Sequence, residues 1–193
     1  MKLLFATNNI NKAHEIQELI KDLFQILSLK DIDCIEDIPE DQATIIGNAQ
    51  QKAQYIYNKY LINVFADDTG LEIEALDNAP GVYSARYAGP QRNAEDNMNK
   101  VLENLKNIDN RKAQFKTVIC LIIDHKEYFF EGIIKGTIIN EKRGELGFGY
   151  DPIFVPDGYD KTFAEMTISE KSMISHRGIA IQKMISFLET YKN

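Results

Sequence analysis

Two aspartates stand side by side at the end of an apolar run, in "FADDTGLEIEAL" (65–76), followed at once by Thr69 and Gly70. Like charges about 4 Å apart repel by roughly 1 kcal/mol even in water, and by more in a drier site. Keeping both implies something positive beside them, most simply a hard metal ion, which prefers oxygen ligands. A plain turn is the other reading, because Asp-rich segments with Gly make turns readily.

Other polar segments could serve one site with this pair. "TNNINK" (7–12) follows an apolar run and opens a helix, whose free N–H groups favour phosphate. Thr7, Asn8 and Asn9 add side-chain donors there and Lys12 adds a full charge; an Asn cap beside a surface lysine would look the same. Lys52 sits on an otherwise neutral helix face, where a lysine is ordinarily solvated. Upstream of it Glu36, Asp37, Glu40 and Asp41 are chemically equivalent candidates for a second carboxylate. "GFGYDP" (147–152) opens no helix, so it is no dinucleotide fingerprint. Its glycines permit a backbone that exposes Phe148 and Tyr150 beside Asp151, a clamp for a base ring, or else the two rings pack into the core. In "SEKSMISHRG" (169–178), His176 and Arg177 fall in a first helical turn, where cations oppose the macrodipole, so an anionic or carbonyl partner is expected.

The elements that would position these residues follow from periodicity. Strands are expected at 2–6 and 24–29, with a helix between whose face is Ile16, Leu19, Ile20 and Leu23. That opening is a parallel pair with a crossover. A second helix is expected over 44–60, with Ala49, Ala53, Ile56 and Tyr60 on one side. Strands at 62–66 and 71–76 flank the aspartate pair, a Gly- and Pro-rich loop covers 77–92, and a third helix covers 93–106. Two long runs flanking His125 and Lys126 suggest an antiparallel hairpin. Thr167 and Glu170 have capping-box spacing for a penultimate helix, and the last begins near Ser175, with Ile181, Met184, Ile185 and Leu188 facing the core.

Length and composition agree with one α/β domain of two close-packed lobes: 193 residues, 44% apolar, 26% charged. With 22 Lys and Arg against 29 Asp and Glu, the net charge is −7, which disfavours a nucleic-acid polymer as partner. Cys120 reads as a buried core thiol, and the cysteines form no zinc pattern. The N-terminal apolar stretch is too short for a signal peptide and no run is long enough to span a membrane, so a cytoplasmic location is expected.

The polar segments, taken in order, resemble those of the inosine triphosphate pyrophosphatases, which hydrolyse non-standard purine nucleoside triphosphates. The resemblance runs from "FATNNINK" through "NAQQKA", "FADDTGLEIEAL", "APGVYSARYAG" and "GFGYDPIFVP" to "EKSMISHRG". It implies a two-lobed fold with a central mixed sheet flanked by helices, a hairpin-bearing second lobe and a site in a cleft between the lobes of a homodimer. It also implies Mg²⁺ as cofactor, with Asp68 as metal ligand and general base and Glu40 as second metal ligand, selected by counting back from "NAQQKA". Thr7, Asn9, Lys12 and Lys52 would meet the triphosphate, Thr69 would touch substrate, and Phe148, Gly149, Tyr150, Asp151, Lys171, His176 and Arg177 would bind the base. The implied reaction is attack of activated water on the α-phosphorus of ITP, dITP or XTP, giving the monophosphate and pyrophosphate. A pyrophosphatase of other modified nucleotides and a non-catalytic nucleotide sensor are the alternatives. One departure is Gly47, where the family often has Glu, so the second helix is open to starting differently.

Overall fold

The computed structural model describes residues 2–20 and 24–191. Strand β1 (Lys2–Phe5) leads through a polar loop into α1 (Ile10–Ile20), and β2 (Gln25–Leu27) returns parallel to β1, with Lys2 opposite Gln25. Asn9 caps α1: the Lys12 backbone N–H donates to Asn9 Oδ1 at 3.2 Å, and the Asn9 N–H donates to Thr7 Oγ1 at 3.1 Å. Ile16 and Ile20 are buried as the periodicity predicts. Leu23, expected on the same face, lies outside the described residues.

Helix α2 (Ile45–Tyr60) starts where expected despite Gly47, because Thr44 accepts the Gly47 N–H at 3.0 Å. A Cβ on residue 47 would lie 2.9 Å from Gln42 Cβ, so the glycine lets the preceding segment pack against the helix start. The buried face of α2 carries Asn48 and Lys52 among Ile45, Ala49, Ala53 and Ile56. Of the two readings of Lys52, the solvated one is excluded: its ammonium is drawn inward by carboxylates.

The largest departure from the sequence reading lies at the aspartate pair. Rather than two strands around a turn, β3 (Val64–Ile73) runs unbroken through Asp67, Asp68, Thr69 and Gly70. It pairs parallel with β1 and, at its far end, antiparallel with the short β4 (Pro80–Gly81). Residues Glu74–Leu76 form a 3-10 turn instead of continuing the strand. Helix α3 (Ala94–Asn104) follows, capped by Asn93. Strands β5 (Lys112–Ile123) and β6 (Lys126–Ile138) make the expected hairpin, with the turn at Asp124 and His125, one residue early. Both turn residues have positive φ (48° and 61°), as a two-residue turn of matching twist requires. Strand β7 (Phe154–Pro156) pairs antiparallel with β6, and α4 (Ile168–Ile174) and α5 (His176–Tyr191) end the chain. The Thr167–Glu170 capping box is present. The sheet is mixed and seven-stranded, in the order β2-β1-β3-β5-β6-β7 with β4 on β3.

The chain divides into two compact units. The first comprises Met1–Asp68, Thr117–Gly132 and Arg177–Asn193; the second, Thr69–Lys116 and Ile133–His176. The first packs Leu3, Phe5 and Phe65 against Ile16 and Ile20 of α1 and Ile181, Met184 and Leu188 of α5. Phe5 and Phe65 stack at 4.6 Å. The second packs Leu71 and Ile73 with Val101, Phe115, Phe154 and Phe163. The hairpin turn belongs to the first unit and its open end to the second, so the hairpin is not confined to one lobe. Cys120 is fully buried, and burial pushes its thiol up to about 12, which leaves it inert. Among the described residues no helix is long and apolar enough to cross a membrane.

Gly136 pairs with Pro156, and a Cβ there would meet Val155 O at 2.3 Å and Phe154 Cζ at 2.6 Å. Gly136→Ala is expected to destabilise the protein by about 1–3 kcal/mol through overpacking at the β6–β7 pair. Urea unfolding measures this.

Candidate active site

In a strand, successive side chains point to opposite faces, and β3 uses this to give its two aspartates different surroundings. Asp67 follows Phe65 by two residues and faces α1 and α5. Lys12 Nζ lies 3.0 Å from its Oδ2 and Arg177 Nε 3.2 Å from the same oxygen. Arg177 also donates to Glu15 of α1. Against its burial, Asp67 is held well below the usual carboxylate range by Lys12 and Arg177. Glu15, Arg177, Asp67 and Lys12 thus form a chain of alternating charge. The anionic partner that the cationic start of α5 implied is this pair of carboxylates, and Arg177 is only 1% exposed.

Asp68 faces α2. Asn48 Nδ2 donates to Asp68 Oδ2 at 3.0 Å, and Lys52 Nζ lies 3.7 Å from Asp68 Oδ1 and 3.1 Å from Glu40 Oε1. Burial pushes the Asp68 carboxyl up to about 6, the neighbouring Glu40 adds to this, and Lys52 and Lys12 oppose it. Glu40 is drawn the other way: against its burial, Lys52 lowers it. Against the buried face of α2, Lys52 therefore meets a carboxyl whose pKa lies near neutral pH and a second carboxylate. Thr7 and Asn9 are committed to the loop and cap described above, Asn8 is exposed, and Thr69 follows Asp68 half-buried on β3.

Among the described residues no three His, Cys, Asp or Glu side chains gather as a metal cluster. Magnesium needs only one or two carboxylates when water and substrate phosphates complete its shell. Glu40 and Asp68 both approach one cation, Lys52 Nζ, at 3.1 and 3.7 Å. Two carboxylates that already meet one ammonium ion present their oxygens to a common cation, so the pair fits.

The second unit holds the other polar cluster. Lys171 Nζ lies 2.6 Å from Asp151 Oδ2, with both side chains buried. The same oxygen accepts the Phe148 N–H at 2.8 Å, and the Lys171 ammonium sits 4.7 Å from the centre of the Phe148 ring. Gly147 makes this possible: it has φ 76°, and a Cβ there would come within 2.2 Å of Asp151 Oδ2. Gly149 also takes a positive φ (65°). Of the two readings left open for the aromatic pair, Tyr150 takes the core one. That ring is buried in the core and its hydroxyl donates to Ser84 O at 2.8 Å, whereas Phe148 remains half-buried. His176 stacks on Phe115 with ring centres 4.6 Å apart.

Three residues of these clusters escaped the sequence reading. Asn48 precedes Lys52 by four and Glu15 follows Lys12 by three, so helical spacing alone puts each on the face of a chosen residue. Ser84 donates to Gly81 O nearby, accepts the Leu71 N–H at 2.9 Å and receives the Tyr150 hydroxyl from 66 residues away.

The first unit of this α/β fold gathers Lys12 and Lys52 beside the carboxylates of Glu40, Asp67 and Asp68. The chain belongs to the Ham1 family, whose model it matches over residues 3–187. It is 57% identical over 192 residues to a Flavobacterium johnsoniae protein named dITP/XTP pyrophosphatase, with all of both chains covered. It is 52% identical to a Porphyromonas gingivalis protein of the same name, with 97% of each covered. Among solved structures, the Staphylococcus aureus Ham1 protein superposes with a TM-score of 0.90 at 37% identity, covering 99% of this chain and 100% of that one.

The raised Asp68 pKa has a stability consequence. In EDTA the folded protein binds the Asp68 proton more tightly than the unfolded chain does, so the Asp68 contribution to stability falls as pH rises from about 4 to about 6. Between the ordinary value of 3.8 and about 6, the change amounts to up to about 3 kcal/mol. The unfolding free energy of wild type minus that of Asp68→Asn should drop across this window and level off above it. Parallel urea titrations at several pH values check it.

Proposed function

We propose that this protein hydrolyses non-standard purine nucleoside triphosphates, dITP, XTP and ITP, to the nucleoside monophosphate and pyrophosphate; the reading is supported by relatives named dITP/XTP pyrophosphatase. The observation that carries the reading is the contrast between the adjacent aspartates. Asp67 is fixed as an anion by two cations, while Asp68 is held near neutrality against a lysine and a second carboxylate. A general base works best when its pKa lies near the working pH.

Asp68 accepts the proton of the attacking water. The water oxygen bonds to the α-phosphorus, and the bond from that phosphorus to the bridging oxygen breaks, with its electron pair leaving on pyrophosphate. Lys12 and Lys52 neutralise the charge that builds there. When Lys12 turns from Asp67 to a phosphate, Asp67 keeps Arg177, so its carboxylate is not left without a cation. Thr7, Asn8 and Asn9 offer further donors at the start of α1. Asp68 and Glu40 would hold a magnesium ion, which would supply Lewis-acid stabilisation of phosphate charge.

Base recognition is assigned to the second unit: Phe148 offers a half-exposed ring, and Lys171, steadied by Asp151, offers donors to the 6-oxo acceptor that adenine lacks. His176 belongs to the same assignment. Arg177 is assigned to the scaffold of the first unit rather than to the base, and Thr69 to substrate contact. The same reading makes the protein a cytoplasmic homodimer, supported by the family resemblance of its sequence.

Two measurements test this. With Mg²⁺, pyrophosphate release from dITP and XTP should exceed that from ATP by at least about 10²-fold in kcat/KM, because a site built on hydrogen bonds rejects a substrate that strands them. Lys171→Ala should shrink the ratio; equal efficiency on ATP in the wild type would refute the assignment. Asp68→Asn should keep the fold and lose about 10²–10⁴-fold in turnover. Pyrophosphate release at the wild-type rate from that variant would remove Asp68 from the base role.

A further inference from the structure

Asn48 is fully buried in α2 and uses both ends of its amide. Its Oδ1 accepts the Gln42 backbone N–H at 2.8 Å, and its Nδ2 donates to Asp68 Oδ2 at 3.0 Å. The first contact fixes the amide's orientation: with the oxygen spent on a backbone donor, only the NH₂ group can face Asp68. The second holds one Asp68 oxygen as an acceptor, while Lys52, one turn further along the same helix face, approaches the other. Gln42 stands two residues after Glu40, so the same amide also ties down the segment that carries Glu40. Gln51 adds to this tie, accepting the Asp41 N–H at 3.2 Å and donating to Asp41 Oδ1 at 2.7 Å. Gly47 leaves the room that Gln42 needs against the helix.

We infer that Asn48 is a positioning residue that sets the mutual geometry of Asp68 and Glu40 and so tunes magnesium binding and turnover. This rests on the pyrophosphatase reading above. Partners that orient metal-binding carboxylates typically change metal affinity or activity by about 10–100-fold when removed. Asn48→Ala should lower kcat on dITP about 10–100-fold while KM at saturating Mg²⁺ stays within about threefold. The Mg²⁺ midpoint should rise by about 10-fold or more, both in activity and in the Mg²⁺-dependent rise of melting temperature measured without nucleotide.

Asn48→Asp has the same shape and keeps an acceptor for the Gln42 N–H but loses the donor. It also carries the comparison if the alanine variant fails to fold. If Asn48 merely tethered the loop, this variant would turn over like wild type; the inference requires a loss of at least about 10-fold. Turnover and Mg²⁺ midpoints within about twofold of wild type in Asn48→Asp would overturn it. A wild-type protein that releases no pyrophosphate from dITP with Mg²⁺ would instead overturn the underlying reading, and the thermal midpoints would still report on Asn48.

Discussion

Successive side chains of a strand point to opposite faces, and β3 applies this to two carboxylates that are neighbours in the chain. Asp67 meets Lys12 of α1 and Arg177 of α5 beneath the layer that also packs Phe65. Asp68 meets Asn48 and Lys52 of α2. Three helices are thereby pinned to one strand by charge at the point where chemistry is proposed to occur. Had the chain turned at this point, the aspartates would share one solvated loop, and neither pKa would move far. The strand puts each into its own dry environment, one rich in cations and the other containing a second acid.

A comparable economy operates in the second unit. A single buried oxygen, Asp151 Oδ2, takes both the Lys171 ammonium and the Phe148 N–H, so the loop backbone, its half-exposed ring and its cation are fixed together. Gly147 is required because its left-handed backbone and missing Cβ leave space for that oxygen. Breaking one partner of such a pair strands the other charge in a dry interior, which typically costs about 3–5 kcal/mol. Mutation at Asp151 or Lys171 therefore acts on the stability of the loop as well as on the surface it presents.

Much of this was legible in the sequence because it is local. Helical spacing gave the buried faces of α1 and α5, the Thr167–Glu170 pair marked the start of α4, and the order of the polar segments carried the family resemblance. What was hidden depends on residues far apart in the chain. Nothing near Asp67 and Asp68 says that a strand continues through them; their satisfaction comes from Lys12, Lys52 and Arg177. Tyr150 looked exposable because its hydroxyl partner is Ser84 O, 66 residues away. Lys52 looked solvated because Glu40 and Asp68 are brought to it only by the fold. The hairpin turn fell one residue early because Asp124 and His125, not Lys126, take the positive φ values.

The division of labour between the adjacent aspartates is tested most directly by urea unfolding of Asp67→Asn and Asp68→Asn side by side at neutral pH without metal. Removing the Asp67 charge leaves Lys12 and Arg177 short of a buried partner, and a loss of about 3–5 kcal/mol is predicted. Removing the Asp68 charge relieves a carboxylate that burial disfavours, and stability equal to or above wild type is predicted. The reverse order, with Asp68→Asn the less stable of the two, would contradict the assignment of Asp67 to the scaffold and Asp68 to the chemistry.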